Sequence, residues 1–287
     1  MKAKKSLGQH FLKSEKALSQ IVDASDPAAN DIILEIGPGH GVLTERLLSF
    51  AGKVIAVEKD KDLIPVLEER FADAIAKGKL EILHKDILEF DPELFSFYKD
   101  HPYKLVANIP YYITGAIIEK FLSTPYLPER MVLLMQKEVA ERIIARQPSG
   151  SGQARDKKES ILSIAVKAYG IPKIVGKVAP GSFVPPPTVD SAILLIENIS
   201  RDFFIDPTTK SVLCNEALFF KVLKGVFGKK RKQIGGSLAE LFNDKELALR
   251  ALEDSSIDSK TRPEDIALAT WKILTQALEK RGCGVVQ

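Results

Sequence analysis

Asp31-Ile32-Ile33-Leu34-Glu35-Ile36-Gly37-Pro38-Gly39-His40-Gly41 is the stretch whose reading decides the fold. After Asp31, residues 32–36 form an apolar run broken only by Glu35, the pattern of a strand buried on both faces. The glycine turn leads into Val42, Leu43, Leu47 and Leu48, which are spaced for a helix. Strand, glycine turn and helix make the opening unit of a doubly wound α/β sheet. The glycines let backbone approach a ligand where side chains would collide, and the same residues also suit a purely structural tight turn. Gly37, Gly39 and Gly41 give G-x-G-x-G. A dinucleotide fingerprint needs a third small residue one place later, where Val42 stands. A mononucleoside-like ligand without a pyrophosphate fits this spacing better than a nicotinamide.

Working outward, three more apolar runs each end in polar chemistry. Lys53-Val54-Ile55-Ala56-Val57 ends in Glu58, which lies about 20 residues past the first glycine, where a carboxylate can reach ribose hydroxyls. A helix is expected over residues 62–76. Leu80-Glu81-Ile82-Leu83-His84 is a strand pattern followed by Asp86, Ile87 and Leu88. Asp86 can accept from an adenine amino group while the aliphatic neighbours cover the ring; it can equally cap a turn. Lys104-Leu105-Val106-Ala107 runs straight into Asn108-Ile109-Pro110-Tyr111. Asn108 offers an amide carbonyl acceptor. Pro110 restricts the direction of the Ile109 carbonyl, and Tyr111 offers a flat face for a base. Two acceptors and a ring suit an exocyclic amino group on a planar heterocycle. A strand end that turns on Asn and Pro, with Tyr111 capping the core, is the plainer alternative. Ligands of open α/β sheets bind at the carboxyl ends of the strands, and Glu58, Asp86 and Asn108 all fall there.

The rest of the chain completes a sheet and adds a tail. Helices are expected over 113–122, 136–146 and 160–169, with a strand over 131–135 and flexible punctuation at 148–152. Residues 174–178 and 192–196 read as a closing strand pair. Between them lies Pro180-Gly181-Ser182-Phe183-Val184-Pro185-Pro186-Pro187, a stiff loop whose Phe183 suits either a second aromatic wall opposite Tyr111 or a core position. The N-terminal segment carries Lys2, Lys4, Lys5, Lys13 and Lys16 around Gly8, as a basic arm over a cleft or a solvated end. Composition shifts near residue 200, so the expected domains are 1–200, an α/β sheet, and 201–287, a small all-helical domain. Within the latter, residues 218–232 carry Lys221, Lys224, Lys229, Lys230, Arg231 and Lys232 with no acid and with interleaved Phe219, Phe220 and Phe227. Such a block reads as a phosphate-backbone patch or as a solvated helix. Thr261-Arg262-Pro263-Glu264 has capping-box spacing ahead of a helix that holds Trp271.

Composition sets outer bounds. The 287 residues are 45% hydrophobic and 28% charged, which suits a sizeable core. Net charge is only +3, so partner choice depends on where charge lies. No apolar run approaches the roughly 18 residues of a membrane span, and the basic N-terminus lacks a signal-peptide core. Cys214 and Cys283 read as free thiols in a reducing, cytoplasmic compartment. Neither the cysteines nor the four scattered histidines make a metal-ligand pattern, so no metal is expected.

Several segments together resemble one family. Lys5-Ser6-Leu7-Gly8-Gln9-His10-Phe11-Leu12, Glu35 to Thr44, Glu58-Lys59-Asp60, Asp86-Ile87, Asn108 to Tyr111, Gln136 to Arg142 and Phe183 to Ser191 occur in the order found in ribosomal RNA adenine N6,N6-dimethyltransferases, closest to their small-subunit (16S) branch. The resemblance implies a Rossmann-like class I methyltransferase sheet and S-adenosylmethionine as methyl donor. It implies that His10 and Leu12 touch the cofactor, that Gly37, Gly39 and their loop lie against its methionine part, that Glu58 holds the ribose, and that Asp86 with Ile87 holds the adenine. Asn108, Ile109, Pro110, Tyr111 and Phe183 would hold the target base, with Asn108 also touching the cofactor. The implied partner is 16S rRNA in an immature small subunit, with two neighbouring adenosines of a 3′-terminal hairpin each methylated twice by a monomeric enzyme.

Overall fold

The computed structural model describes residues 4, 7–90, 102–145, 158–229 and 232–283. The chain divides into two compact units, residues 1–141 with 170–199 and residues 142–169 with 200–287.

The first unit is an α/β sheet. In chain order it contains β1 (Phe11–Leu12), α1 (Glu15–Ser25), β2 (Ile32–Ile36), α2 (Val42–Leu48), β3 (Lys53–Glu58), α3 (Ile64–Arg70), α4 (Ala72–Ala76) and β4 (Leu80–His84). It continues with β5 (Tyr103–Asn108), α5 (Thr114–Ser123), β6 (Arg130–Gln136), α6 (Lys137–Ile143, of which residues up to Glu141 belong to this unit), β7 (Ile171–Val178), β8 (Phe183–Val184) and β9 (Ser191–Glu197). The order across the seven-stranded sheet is β4-β3-β2-β5-β6-β9-β7. Strands β2 to β6 pair in parallel, while β9 runs antiparallel to both β6 and β7. Strands β2, β3, β5 and β6 are buried along nearly their whole length, as strands covered on both faces are, whereas the edge strand β4 is mostly half-exposed. Ile33, Leu34, Leu105, Val106, Val132 and Leu133 are fully buried, each contributing about 1.5–3 kcal/mol. Chain order reverses at β2, with β3 on one side and β5 on the other, and that switch point opens a crevice above the carboxyl ends.

Outside this sheet, β1 pairs antiparallel with β8, setting Phe11 opposite Val184 and Leu12 opposite Phe183. The backbone N–H of Lys13 extends the pairing by donating to the Ser182 carbonyl at 2.8 Å. The N-terminal arm and the proline loop therefore form one roof piece.

Two local expectations are corrected here. Residues 62–76 are not one helix: α3 and α4 are separated at Phe71, whose φ of −113° and ψ of 23° leave the helical region. Phe71 turns inward and is buried, and its ring edge stands against Gly41. The last strand pair starts earlier than expected, with Ile171, Pro172 and Lys173 of β7 opposite Glu197, Ile196 and Leu195, and a register shift falls between Ile174 and Gly176.

The second unit is helical: α7 (Ile161–Tyr169), α8 (Glu216–Phe227), α9 (Ile234–Phe242), α10 (Lys245–Asp254) and α11 (Leu268–Glu279). Its core holds Trp271, Phe204 and Phe219, with Phe204 and Phe219 in an edge-on cluster 5.4 Å between ring centres. Asn215 starts α8 by accepting the Leu218 N–H at 2.8 Å.

The expected domain boundaries need a correction. Residues 142–169 belong with the helical unit, not with the sheet. Within that unit the Tyr169 hydroxyl reaches Glu216, and the buried Glu159 takes Lys167 at 2.8 Å. The Thr261 capping box is also absent: Pro263–Asp265 is a 3-10 turn without a side-chain cap, and α11 starts only at Leu268. Glu264 instead pairs with Lys158. The punctuation at 148–152 lies outside the described residues.

Candidate active site

The carboxyl ends of β2, β3, β4 and β5 open into one cavity. Glu58, Asp86 and Asn108, from three different strand ends, share its wall. Gly37 and Gly39 form its floor side, Ile87 and Leu88 add apolar cover, and His10, Leu12 and Phe183 come from the roof. Ile109, Pro110 and Tyr111 complete it.

The glycine turn is shaped by left-handed backbone, with φ of +68° at Gly37, +60° at Gly39 and +80° at Gly41. Ordinary side chains pay about 1–2 kcal/mol to adopt that conformation. A Cβ on Gly39 would stand 3.1 Å from the Phe11 ring of the roof, and one on Gly41 would stand 2.4 Å from Phe71. On Gly37 the nearest atom would be the Asn108 carbonyl oxygen at 3.7 Å, an ordinary contact without a clash.

Glu58 does more than end a strand. One carboxylate oxygen accepts the Gly39 N–H at 3.1 Å and the other accepts the Asp60 N–H at 2.8 Å. The buried carboxylate thus pins the glycine turn to β3. Burial pushes its pKa up, and the two N–H groups oppose that shift. Asp86 accepts from Lys59 Nζ at 2.7 Å and from the Leu88 N–H at 2.9 Å, so it caps its own turn while facing the cavity. Partial burial works against its charge, but Lys59 and that N–H outweigh it and hold the carboxyl below its usual range.

Asn108 is oriented by the roof. Its amide NH2 donates to the His10 carbonyl at 3.2 Å, leaving the amide oxygen as the acceptor open to a ligand. The Ile109 N–H is spent on Leu134 O at 3.2 Å, so its carbonyl is the backbone group left to this turn's ligand. Tyr111 is half-buried, with its hydroxyl 2.7 Å from Ser191 Oγ on β9. His10 Nδ1–H donates to the Pro185 carbonyl at 2.8 Å, and its ring lies 20° from parallel to Tyr111 with centres 6.0 Å apart. Phe183 meets both of its sequence readings: it is 2% exposed within the core cluster and also borders the cavity.

Sequence reasoning missed several participants. Glu35 is fully buried beside the cavity, and neither carboxyl oxygen has a hydrogen-bond partner among the described residues. Burial, reinforced by the charge of Glu58 and opposed by the nearby Thr44 hydroxyl, raises its pKa to about 8. Asp60 takes Gln9 Nε2 at 2.8 Å and also Lys4, tying the arm down beside Glu58. Only the adjacency of Lys59 and Asp60 to Glu58 offered a sequence signal for these links.

The basic block looks different in three dimensions. Lys221 and Lys224 lie on α8, Lys221 with its ammonium 5.5 Å from the centre of the Phe242 ring. Lys229 and Lys232 follow the helix and both pair with Glu240 of α9, Lys232 at 2.6 Å. The local run is free of acids, yet an acid from the next helix sits among its lysines. Lys230 and Arg231 lie outside the described residues. Among the described residues no group of His, Cys, Asp or Glu is disposed to hold a metal ion, and no helix is long and apolar enough to cross a membrane.

Comparison with known proteins is consistent along the whole chain. The family model described as ribosomal RNA adenine dimethylase matches residues 1–280. Ribosomal RNA small subunit methyltransferase A of Dehalococcoides mccartyi (strain CBDB1) is 42% identical over 277 residues, covering 96% of this chain and 88% of that protein. The protein of the same name from Clostridium perfringens (strain SM101 / Type A) is 37% identical over 277 residues, covering 96% and 90%. Among solved structures, a dimethyladenosine transferase from Plasmodium falciparum is similar with a TM-score of 0.75 and 28% identity, over 95% of this chain and 98% of that one.

Proposed function

Because the chain belongs to the ribosomal RNA adenine dimethylases, we propose that it dimethylates N6 of two adjacent adenosines in a 3′-terminal hairpin of 16S rRNA. In this reading it acts as a cytoplasmic monomer on the immature small subunit. The reaction is an rRNA adenine dimethylation and its methyl donor is S-adenosylmethionine. The observation that carries the site assignment is the meeting of Glu58, Asp86 and the Asn108–Tyr111 turn in one cavity.

The residues present suit that cofactor. A ligand can lie against Gly37, which borders the cavity and has no side chain to fill it. Glu35, whose carboxyl oxygens have no hydrogen-bond partner among the described residues, lies in the wall of the same cavity. Glu58 and Asp86 would hold the ribose hydroxyls and the adenine amino group, with Ile87 against the ring. His10 and Leu12 would close over it from the roof.

S-adenosylmethionine, when bound, supplies a methyl group on a cationic sulfur, so its leaving group is neutral. The protein's task is then positioning and charge stabilisation, not strong base catalysis. Adenine N6 is a poor nucleophile because its lone pair is delocalised into the ring. The Asn108 amide oxygen and the Ile109 carbonyl would accept the two N6 hydrogens and hold them out of the ring plane, which returns lone-pair density to the nitrogen. Tyr111 and Phe183 would grip the base faces, worth about 1–3 kcal/mol per stacked base. The base must leave its RNA stack to enter. The proton lost from N6 goes to water at the cavity mouth. Lys221, Lys224, Lys229, Lys230, Arg231 and Lys232 would contact RNA phosphates.

Mass spectrometry of rRNA from immature small subunits, incubated with the protein and labelled cofactor, tests this reading. Two adjacent dimethylated adenosines near the 3′ end are expected. Label absent from those adenosines, with large subunits labelled in a parallel incubation, overturns it.

A further inference from the structure

Tyr111 and Tyr112 are neighbours with opposite fates. Both lie in the 3-10 turn Tyr111–Ile113, where successive side chains point about 120° apart. Tyr111 turns in, half-buried and tied to Ser191. Tyr112 turns out and is 64% exposed, more than any other Phe, Tyr or Trp among the described residues. Yet it borders the same cavity. Its ring edge lies along the arm at Gly8, where a Cβ would stand 3.3 Å from Tyr112 Cε1. That contact steadies an otherwise uncovered ring at the mouth, and the turn after Pro110 fixes its backbone.

Extruding one base from an RNA strand leaves the adjacent base without a stacking partner on one side. An aromatic ring at the mouth, one residue from the ring that grips the extruded base, is placed to fill that gap. We propose that Tyr112 is a positioning residue that stacks on the nucleotide flanking the target adenosine. This rests on the target pocket lying at Asn108–Tyr111. The role needs a flat apolar face and no hydroxyl, and base–aromatic stacking is tolerant of base identity. It makes Tyr112 a determinant of RNA engagement, separate from cofactor binding.

The test is methyl-transfer kinetics on immature small subunits with Tyr112→Ala and Tyr112→Phe, alongside calorimetry with S-adenosylmethionine. Tyr112→Ala raises KM for the subunit about tenfold, within the range of a lost base stack, leaving kcat and the cofactor Kd unchanged. Tyr112→Phe restores the wild-type KM. An unchanged KM in the alanine variant overturns the proposal, as does a phenylalanine variant equally impaired, or a cofactor Kd that weakens in parallel. Asn108→Ala in the same assay separates this from the underlying pocket assignment. If that variant turns over normally the pocket itself is misassigned, whereas a lost Asn108 turnover with an indifferent Tyr112 refutes only the flanking stack.

Discussion

Replacing Glu35 with glutamine removes a pH dependence that the fold builds into its own sheet. The carboxyl is fully buried, has no hydrogen-bond partner among the described residues, and holds its proton up to about pH 8, against an ordinary value of 4.5. Its folded pKa is raised, so the stabilisation it contributes is complete below pH 4.5 and is lost as pH climbs toward 8. Across that window the folded chain keeps a proton that the unfolded chain has released, which tilts stability by about 1.4 kcal/mol per pH unit. Glutamine has nearly the same shape and cannot ionise. Its amide leaves a buried donor to satisfy, a pH-independent cost of about 1–3 kcal/mol. The offset between the proteins therefore carries no information, and the slope carries all of it. Urea denaturation of cofactor-free protein at several pH values, followed by circular dichroism, gives both curves. Glu58, also raised by burial, tilts both proteins alike. The wild-type advantage over Glu35→Gln should shrink steadily as pH rises to 8 and level off above it. Parallel curves for the two proteins would refute the assignment of a neutral, buried Glu35.

Three further perturbations have defined outcomes. Asn108→Ala should bind S-adenosylmethionine normally by calorimetry and lose most methyl transfer; retained transfer removes Asn108 from the amino-group site. Gly41→Ala combines a φ of +80° with a Cβ 2.4 Å from Phe71, and the two effects should lower stability by about 2–4 kcal/mol in urea melts. An unaltered midpoint means the turn relaxes freely. Changing Lys224, Lys229 and Lys232 to glutamine should weaken subunit binding and reduce the salt slope by roughly 0.7–0.9 per phosphate contact removed. A slope equal to wild type would move the RNA contact away from the end of α8.

The parallel strands were legible because strands buried on both faces leave mostly apolar runs, and β2, β3, β5 and β6 fall on such runs. The polar residues at their ends were legible for the related reason that nothing in the core calls for Glu58, Asp86 or Asn108. Where one short segment serves two masters, the pattern failed. Phe71 fits the helical period yet breaks the helix, because it packs under Gly41. The segment 142–169 precedes the composition shift at residue 200, so its place with the helical unit depends on partners such as Glu216, which is far along the chain. Glu240 among the lysines of the basic block was hidden in the same way. Glu35 looked like an ordinary interruption of a strand, since absence of a partner is a property of space and not of sequence.

The roof formed by β1 and β8 joins residues near the start of the chain to residues some way past its middle. During synthesis, the strands that carry Gly37, Glu58 and Asn108 emerge well before Phe183 does. A nascent chain halted ahead of Phe183 has the floor of the site but nothing to pair with Phe11 and Leu12. If the roof holds the methyl donor as proposed, tight retention is expected late in biogenesis. On stalled ribosomes it should switch on only once the proline-rich loop has cleared the exit tunnel.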